Sequence, residues 1–318
     1  MPATQSEVKV ISGDTIHARC QWRDLIDHLV KAHRGPMPLV ERSALFADGA
    51  NGERQTYLNQ LAWQPGIAMG TKAITVMPGN ARNGSAEPVG QALFTLFDGA
   101  NGRPLCVLDG TALSHWKTAA DSALGAKLLA RPDSRRLLMV GAGALAPYMI
   151  EAHRTALPSI DTVLVWNRTG SKARLLAEAV GGEYAGNLEE AVKTADIVCC
   201  ATAATSPILH GEWLREGTHV DLVGAFTPEM RECDDATVLR CRLFVDSRAF
   251  GVDQPGDLGN PLHRGVIGRD KIEADLFELC QERIPFVRGL NDITLFKNGG
   301  GGHLDLFTAL YINDLQLR

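Results

Sequence analysis

A strand-like apolar run leads directly into a glycine-rich turn near the middle of the chain. Residues 135–140 precede Gly141-Ala-Gly143-Ala-Leu-Ala146, so the pattern is strand, Gly-x-Gly-x-x-Ala, helix. The first glycine permits a tight turn, the second lets a phosphate approach the backbone, and the small third residue keeps the helix close to the strand. Backbone N–H groups and the helix N-terminus then converge where a pyrophosphate can bind. The motif predicts a dinucleotide site that includes Gly141, Ala142, Gly143, Ala144 and Leu145.

The next strand-like segment indicates which dinucleotide binds. It runs Val163-Leu-Val-Trp and ends in Asn167-Arg168-Thr169. An NAD enzyme usually carries an acidic residue here for the ribose hydroxyl. An acidic side chain would repel a 2′-phosphate, whereas a guanidinium can bind one through two charge-assisted hydrogen bonds. The turn therefore predicts NADPH rather than NADH as the cofactor.

Three basic residues outside the nucleotide motif are candidates for binding an acidic substrate: Arg42, Lys72 and Lys117. A hydride-transferring enzyme needs such groups because the cofactor alone does not select what is reduced. Lys72 lies in the apolar, β-patterned run 67–76, where an unpaired ammonium would be unfavourable and would need an anionic partner. From the pattern alone, a substrate-facing Lys72 and a Lys72 on the solvated face of an edge strand are both open.

The nucleotide motif lies in a region of alternating strand and helix patterns, from about 135 to 250, which is typical of a doubly wound parallel sheet. Strands are predicted at 136–141, 161–166, 196–201, 218–223 and 242–246, and helices at 171–180 and 188–194.

The N-terminal part has a different pattern. Asp-Gly and Asn-Gly turns separate several β-like runs and predict an antiparallel sheet. The runs are 39–46, 56–61, 67–76, 91–98 and 105–109, with helices predicted at 13–32 and 113–130. The tail from 292 ends in an apolar helix and is expected to return to this domain. The fold class is therefore α/β, with a Rossmann domain at 119–291 and a discontinuous α+β domain at 1–118 and 292–318.

Composition and charge argue against several classes of function. The formal charge of −5, with scattered basic residues, gives no footprint for nucleic acid or an anionic membrane. No segment is apolar enough to span a bilayer, and the N-terminus lacks the regions of a signal peptide, so a cytoplasmic location is expected. The seven cysteines include no Cys-x-x-Cys pair and, with the nine histidines, no zinc-type spacing, so no metal is expected. The expected partner is a small molecule.

Five segments together resemble the ornithine cyclodeaminase and μ-crystallin family. They are Gly-Thr-Lys at 70–72, Leu-Asp-Gly-Thr-Ala-Leu at 108–113, Lys-Thr-Ala-Ala at 117–120, Val-Gly-Ala-Gly at 140–143 and Ile-Thr-Leu-Phe-Lys at 293–297. The resemblance covers nearly the whole chain and implies a homodimer whose N-terminal sheets meet, with the active site between the domains. The discontinuous domain would then bind substrate and dimerise.

The resemblance also implies roles for individual residues. Arg42, Lys72 and Lys117 would hold the substrate carboxylate, although many relatives carry Arg where this chain has Lys117. Lysine keeps the charge but lacks the planar fork of arginine. We further expect four residues at the ends of later strands to join the cofactor site: Thr202, Ala203, Val223 and Asn298.

The segment 223–232 distinguishes branches of that family. Ornithine cyclodeaminases carry an Asp where this chain has Phe226, and phenylalanine cannot serve the amine and water chemistry of deamination. The form Gly-Ala-x-x-Pro-x-x-Arg-Glu instead resembles the ketimine reductases of the μ-crystallin branch and bacterial reductases of 1-pyrroline-2-carboxylate and 1-piperideine-2-carboxylate. This implies NADPH-dependent reduction of these acids to L-proline and L-pipecolate, with Phe226 and Thr227 lining the substrate pocket. An ornithine cyclodeaminase, an alanine-dehydrogenase-like oxidoreductase and a crystallin-like NADPH and ligand-binding protein are the alternatives.

Overall fold

The computed structural model describes residues 8–49, 52–81 and 87–315. Its strands are β1 (Lys9–Ile11), β2 (Leu39–Asp48), β3 (Arg54–Gln64), β4 (Ala68–Val76), β5 (Gly90–Asp98), β6 (Pro104–Asp109), β7 (Arg136–Val140), β8 (Thr162–Trp166), β9 (Glu183–Tyr184), β10 (Ile197–Cys200), β11 (His219–Leu222), β12 (Arg242–Val245), β13 (Ile272–Asp275) and β14 (Thr294–Lys297). Its α-helices are α1 (Gly13–Arg19), α2 (Trp22–His33), α3 (Gly110–Leu129), α4 (Ala146–Ala156), α5 (Gly170–Ala179), α6 (Leu188–Thr194), α7 (Asp235–Arg240), α8 (Gly256–His263), α9 (Leu276–Cys280) and α10 (Gly302–Leu315). Short 3₁₀ helices lie at Pro78–Ala81, Gly211–Trp213 and Arg269–Lys271. No helix within the described ranges has the length and apolarity needed to cross a bilayer.

The chain divides into two compact units. Unit 1 takes the described residues of Met1–Gln21, Pro36–Lys117 and Gly301–Arg318, and unit 2 takes Trp22–Gly35 and Thr118–Gly300. The boundaries predicted from sequence differ from this division at three places, since residues 22–35, residue 118 and residues 292–300 belong to unit 2.

The first difference arises because the helix predicted at 13–32 is two helices. The first, α1, ends at Arg19, and Cys20 has extended backbone angles. The second, α2, buries Leu25, Ile26 and Leu29. It packs on α4 and α9, which are both parts of unit 2. An amphipathic helix belongs to the core that covers its apolar stripe. The helix pattern alone does not show which of two cores covers that stripe.

Unit 1 is built on a six-stranded sheet in the order β1-β6-β5-β4-β3-β2. Every neighbouring pair is antiparallel except β1 with β6, so the predicted antiparallel sheet is confirmed. Side chains alternate in β3, where Leu58, Gln60 and Ala62 are buried while Leu61 and Trp63 are exposed. The helix α10 packs across the buried face. The opposite face carries exposed apolar side chains, among them Leu61 and Trp63.

Unit 2 is built on an eight-stranded parallel sheet in the order β13-β12-β14-β11-β10-β7-β8-β9. From β9 to β11 this is the 3-2-1-4-5 order of a Rossmann fold, in which β7 is the first strand. The five strands predicted from the alternating pattern correspond to β7, β8, β10, β11 and β12.

The expected return of the tail at 292 is wrong for its first part. Residues Thr294–Lys297 form β14, which pairs with β11 on one side and β12 on the other. A four-residue strand that is buried on both faces shows no alternation, so its apolar run carries little information about which sheet it joins. Only the segment from Gly301 onward belongs to unit 1.

Candidate substrate and cofactor sites

Lys72 lies on the buried face of the unit 1 sheet beside two other charged groups. Its Nζ donates to Asp305 Oδ1 at 2.8 Å and to Ser114 Oγ at 3.3 Å. Lys117 Nζ lies 3.2 Å from the same Asp305 oxygen. Relative exposure is 3% for Lys72, 4% for Lys117 and 0% for Asp305. With all three groups ionised the cluster carries one net positive charge away from water, which suits the carboxylate of a substrate.

Strand pairing places Arg42 on the same face as Lys72. Gln60 in β3 pairs with Arg42 of β2 on one side and with Lys72 of β4 on the other. Directly paired residues project to one face of a sheet. Two strand spacings separate Arg42 from Lys72, or roughly 10 Å. Because β4 lies inside the sheet and Lys72 is buried, the interpretation of Lys72 as a solvated edge-strand lysine is wrong.

The surroundings of Lys72 adjust its acidity. Burial lowers the pKa of Lys72 to about 8; the charge of Asp305 raises it, and the charge of Lys117 lowers it. An ammonium with this pKa binds an anion at neutral pH. It can also share a proton with a bound base, since a general acid works best when its pKa is near the operating pH.

Sequence reasoning missed Asp305. It lies in the first turn of α10, where residues Gly302 to Ala309 are all buried. A carboxylate in a helix that is buried on all sides needs a cationic partner. An acidic residue within an otherwise apolar helix was therefore the feature of the sequence that could have identified Asp305.

The glycine turn of unit 2 has the backbone shape that a bound phosphate requires. Gly141 has a φ of +116°, and a Cβ at this position would lie 2.6 Å from the carbonyl oxygen of Ala201, so only glycine fits. A Cβ at Gly143 would meet no atom within 4 Å, so this side of the turn is open. The next helix, α4, starts without a side-chain cap at Leu145. Within its first turn the N–H of Ala146 donates to Gly143 O, the N–H of Met149 donates to Leu145 O, and Pro147 has no N–H.

A cleft of about 330 Å³ lies over this turn. It follows the ends of β7 and β10, the point where strand order reverses and Rossmann folds bind their ligands. Its lining residues are Gly141, Ala142, Gly143, Trp166, Asn167, Arg168, Thr169, Lys172, Ala201, Thr202, Ala203, Ala204 and Ile208. The structure thus brings together eight of the predicted cofactor residues, from Gly141, Ala142 and Gly143 through the Asn167 to Thr169 turn to Thr202 and Ala203.

Four predicted cofactor residues lie outside this lining. Ala144 and Leu145 occupy the turn before α4, and Val223 is buried just after β11. Asn298 follows β14, and its Nδ2 donates to Thr118 O and Ser122 Oγ, both at 3.1 Å. The amide of Asn298 is thereby fixed within unit 2.

Lys172 is a cleft residue that sequence reasoning missed. It lies in the first turn of α5, one turn after the Asn167-Arg168-Thr169 segment. Both Arg168 and Lys172 are exposed, and neither has a carboxylate partner among the described residues. Two cations without partners at one edge of the cleft favour an anion there. The feature of the sequence that could have identified Lys172 is its position one helical turn beyond Arg168.

The two residues predicted to line a substrate pocket lie in the loop after β11. Phe226 is 56% exposed. The carbonyl of Thr227 accepts hydrogen bonds from the backbone N–H groups of Met230 and Gly256 at 3.2 and 3.1 Å. The loop is therefore ordered by its backbone, while the ring of Phe226 projects into solvent in the single chain.

A buried trio of unit 2 could in principle bind a metal. Donor atoms of His153, Cys199 and Asp221 lie within 4.8 Å of one another. Asp221 already accepts hydrogen bonds from Cys199 Sγ and from Ser122 Oγ. These contacts satisfy the carboxylate without an ion, and the absence of a metal stays a prediction.

Comparison with known proteins decides the family. The sequence profile described as ornithine cyclodeaminase/mu-crystallin family matches residues 55–317. The chain belongs to this family. Among similar proteins is the Delta(1)-pyrroline-2-carboxylate reductase of Paracoccus denitrificans (strain Pd 1222), 40% identical over 317 residues and covering 98% of each chain. Ketimine reductase mu-crystallin of Rattus norvegicus is 36% identical over 249 residues, covering 78% of this chain and 76% of the relative.

Solved structures of similar proteins share the fold. The Thermococcus litoralis Delta(1)-pyrroline-2-carboxylate reductase, in complex with NADH and L-proline, matches with a TM-score of 0.87 and 26% identity. The match covers 98% of both chains. An archaeal alanine dehydrogenase dimer with bound NAD matches with a TM-score of 0.87 at 22% identity, which shows the fold alone.

Proposed function

We propose that this member of the ornithine cyclodeaminase/mu-crystallin family reduces cyclic ketimine acids with NADPH, 1-pyrroline-2-carboxylate to L-proline and 1-piperideine-2-carboxylate to L-pipecolate. The observation that carries the proposal is the buried cluster of Lys72, Lys117 and Asp305, which offers one net positive charge to one carboxylate. Family membership and its reductase relatives identify the protein as an oxidoreductase acting on C=N bonds. The ring size and the identity of the cofactor belong to the proposal.

The proposed roles follow from charge and acidity. Lys72 and Lys117 bind the substrate carboxylate, and Arg42 adds a third cation on the same sheet face. A nicotinamide dinucleotide held at the Gly141 to Gly143 turn would supply the hydride for the imine carbon, which is more electrophilic when the ring nitrogen is protonated. Lys72, with its pKa lowered to about 8 by burial, exchanges a proton with that nitrogen. Phe226 and Thr227, predicted from sequence to line the substrate pocket, lie in unit 2, and their part in binding the ring stays a prediction.

NADPH is proposed over NADH because of the charges at the edge of the cleft. The Asn167-Arg168-Thr169 turn lacks an acidic residue for the ribose hydroxyl, and Arg168 and Lys172 are two cations at the same place. A 2′-phosphate can accept hydrogen bonds from both. The cofactor predicted from sequence therefore stays the proposed one.

The proposed assembly is a homodimer formed through the outer face of the unit 1 sheet. Leu61, Trp63 and Leu93 are exposed on this face, and apolar grooves of about 750 and 650 Å³ run along it. Large contiguous apolar surface on a single chain is typical of an interaction site. A second copy of the same sheet would cover it with a matching surface.

A spectrophotometric screen tests the function. The purified protein is mixed with NADPH and, in turn, 1-pyrroline-2-carboxylate, 1-piperideine-2-carboxylate, or pyruvate with ammonia. Oxidation of NADPH with either cyclic acid, and at least tenfold less with pyruvate, is the expected result. Turnover with pyruvate and ammonia alone would favour an alanine dehydrogenase, and no turnover with any acid would favour a ligand-binding protein.

A second assay separates reduction from deamination. With L-ornithine and NAD, no catalytic release of ammonia is expected, because Phe226 offers no carboxylate where the cyclodeaminases resembled in sequence carry one. Sustained ammonia release would overturn the reductase assignment and favour ornithine cyclodeaminase.

A further inference from the structure

Glu232 is a buried carboxylate that joins the ends of two neighbouring strands of unit 2. Its Oε1 accepts hydrogen bonds from the backbone N–H of Thr202 at 2.7 Å and from the Thr202 hydroxyl at 2.8 Å. Its Oε2 accepts one from the backbone N–H of Gly224 at 2.6 Å. Thr202 follows β10 and Gly224 follows β11. One side chain that is fully buried therefore fixes two loops at the carboxyl edge of the sheet.

The first of these loops, which follows β10, forms one wall of the cofactor cleft. Ala201, Thr202, Ala203 and Ala204 all line it. The carbonyl oxygen of Ala201 lies 2.6 Å from the place where a Cβ on Gly141 would be. The Ala201 to Ala204 segment thus packs directly against the glycine turn, and a displacement of the segment would change the space left for a dinucleotide.

The contact between the two loops is also tight. A Cβ on Gly224 would lie 2.0 Å from Thr202 O and 2.5 Å from Glu232 Oε1. No other residue type fits at this position without moving Thr202. The carboxylate of Glu232 thus joins two loops whose backbones approach each other closely.

A second layer holds Glu232 itself. The Oδ1 of Asp257 accepts from the backbone N–H of Glu232 at 2.7 Å, and the Oδ2 of Asp257 lies 3.2 Å from Lys297 Nζ. Lys297 also donates to Leu222 O, at the end of β11, at 3.1 Å. The three charged side chains are fully buried. Their network connects β11, β14, α8 and the segment 223–232. None of its three charged side chains lines the cofactor cleft.

We propose that Glu232 is a positioning residue for cofactor binding, acting through Thr202 and Gly224 rather than by touching the dinucleotide. The inference rests on one part of the proposed function, which is that the cleft binds a nicotinamide dinucleotide. A carboxylate is suited to the role because all its oxygen lone pairs accept, and it faces two N–H groups that can only donate. An amide of the same shape would set its NH₂ group against one of these donors.

The test is cofactor binding without any imine substrate. In Glu232→Gln, fluorescence titration at pH 9, where the wild-type carboxylate is formed, should show the Kd of NADPH and of NADH raised at least tenfold, at a temperature where circular dichroism shows the variant folded. The matched control is Glu189→Gln, which changes a half-exposed glutamate paired with Lys193 on α6. Its Kd should stay within twofold of wild type. A Glu232→Gln protein with wild-type affinity would overturn the proposal, whether or not the enzyme reduces ketimines.

The pH profile separates positioning from a general loss of stability. Burial and the charge of Asp257 raise the pKa of Glu232 to about 8, while Lys297 and the Thr202 hydrogen bonds lower it. The other titratable groups facing it are the thiols of Cys199 and Cys200, whose pKa values burial raises well above the usual range, so they stay neutral. Wild-type affinity for NADH should therefore rise severalfold from pH 6.5 to 9, as the carboxylate forms. Glu232→Gln should lose this dependence, and a variant that binds weakly but keeps it would overturn the proposal.

Thr202→Val supplies the same test with the buried carboxylate intact. It removes the hydroxyl that donates to Glu232 Oε1 and accepts from the backbone N–H of Ala204 at 3.4 Å. If Glu232→Gln does not fold, a threefold or greater increase in the Kd of NADH in Thr202→Val supports the proposal, and a Kd within twofold of wild type overturns it.

Discussion

At the scale of single residues, the buried charge of Lys72 is the feature on which substrate binding depends. Lys72→Met keeps most of the side-chain volume, and Asp305 retains Lys117 as its ion-pair partner. The fold and cofactor binding should survive. Catalytic efficiency with 1-piperideine-2-carboxylate should fall about thirtyfold or more, since a charged hydrogen bond to a desolvated carboxylate contributes on the order of 2 to 5 kcal/mol.

Steady-state kinetics with a matched variant check this prediction. Lys127→Met replaces a half-exposed lysine of α3 that pairs with Asp27, and its kinetics should match wild type. A Lys72→Met protein that binds NADPH normally and reduces the ketimine within a fewfold of wild type would show that Lys72 does not bind substrate.

Arg168 is the residue on which the choice of dinucleotide depends. Loss of one charge-assisted contact to a phosphate costs about 1.5 to 3 kcal/mol, or roughly ten- to a hundredfold in affinity. Arg168→Ala should raise the Kd of NADPH by that factor and change the Kd of NADH much less. Titrations of both cofactors measure the ratio, with Arg269→Ala, an exposed arginine paired with Asp253, as the control. Equal losses for NADPH and NADH would show that Arg168 does not contact the 2′-phosphate.

At the scale of elements, α10 sets the acidity of the substrate site by carrying Asp305 to Lys72. Burial lowers the pKa of Lys72 below its ordinary 10.5 to about 8, so the ammonium is lost as pH rises through that value. The KM for the ketimine acid should accordingly increase above about pH 8. The charge of Asp305 raises the pKa of Lys72, so Asp305→Asn should move this increase to lower pH.

Measurement of KM from pH 6 to 10 tests the shift. Asp314→Asn changes an exposed aspartate near the other end of the same helix and should leave the profile in place. If the alkaline increase in KM is at the same pH in wild type and Asp305→Asn, the acidity of the site does not depend on α10.

Much of the fold was predictable because strand and helix patterns alternate along the chain. This alternation indicated β7, β8, β10, β11 and β12, and the Asp-Gly and Asn-Gly turns indicated the antiparallel sheet. The strand β14 is no shorter than β10 or β11, but it lies beyond the alternating region, and α2 shows a helical stripe but not the core it joins. Contacts between residues far apart in sequence, such as Lys72 with Asp305, could not be predicted. The sequence indicated only that a buried Lys72 needs an anionic partner, without identifying it.

At the scale of the whole molecule, the outer face of the unit 1 sheet predicts the assembly state. Stable interfaces bury roughly 1,200 Å² or more, and a charge placed in the centre of one is desolvated without a partner. Replacing both Leu61 and Trp63 by Glu should yield a monomer, because both side chains project from this face. Light scattering after size exclusion measures the mass. Leu175→Glu, on an exposed position of α5, is the control and should leave the dimer intact. A wild-type protein that elutes as a monomer would contradict the proposed assembly.

The position of β14 has a consequence for how the chain is made. Until Lys297 has left the ribosome, β11 and β12 lack the strand that joins them, and the earlier strand β13 pairs only with β12. The helix that covers the sheet of unit 1, α10, is synthesised later still. Nascent chains ending before residue 294 should therefore be degraded readily by protease, and resistance should appear only when both final segments have emerged. The last tenth of the sequence thus completes both cores, and an early stop codon there removes much more than a tail.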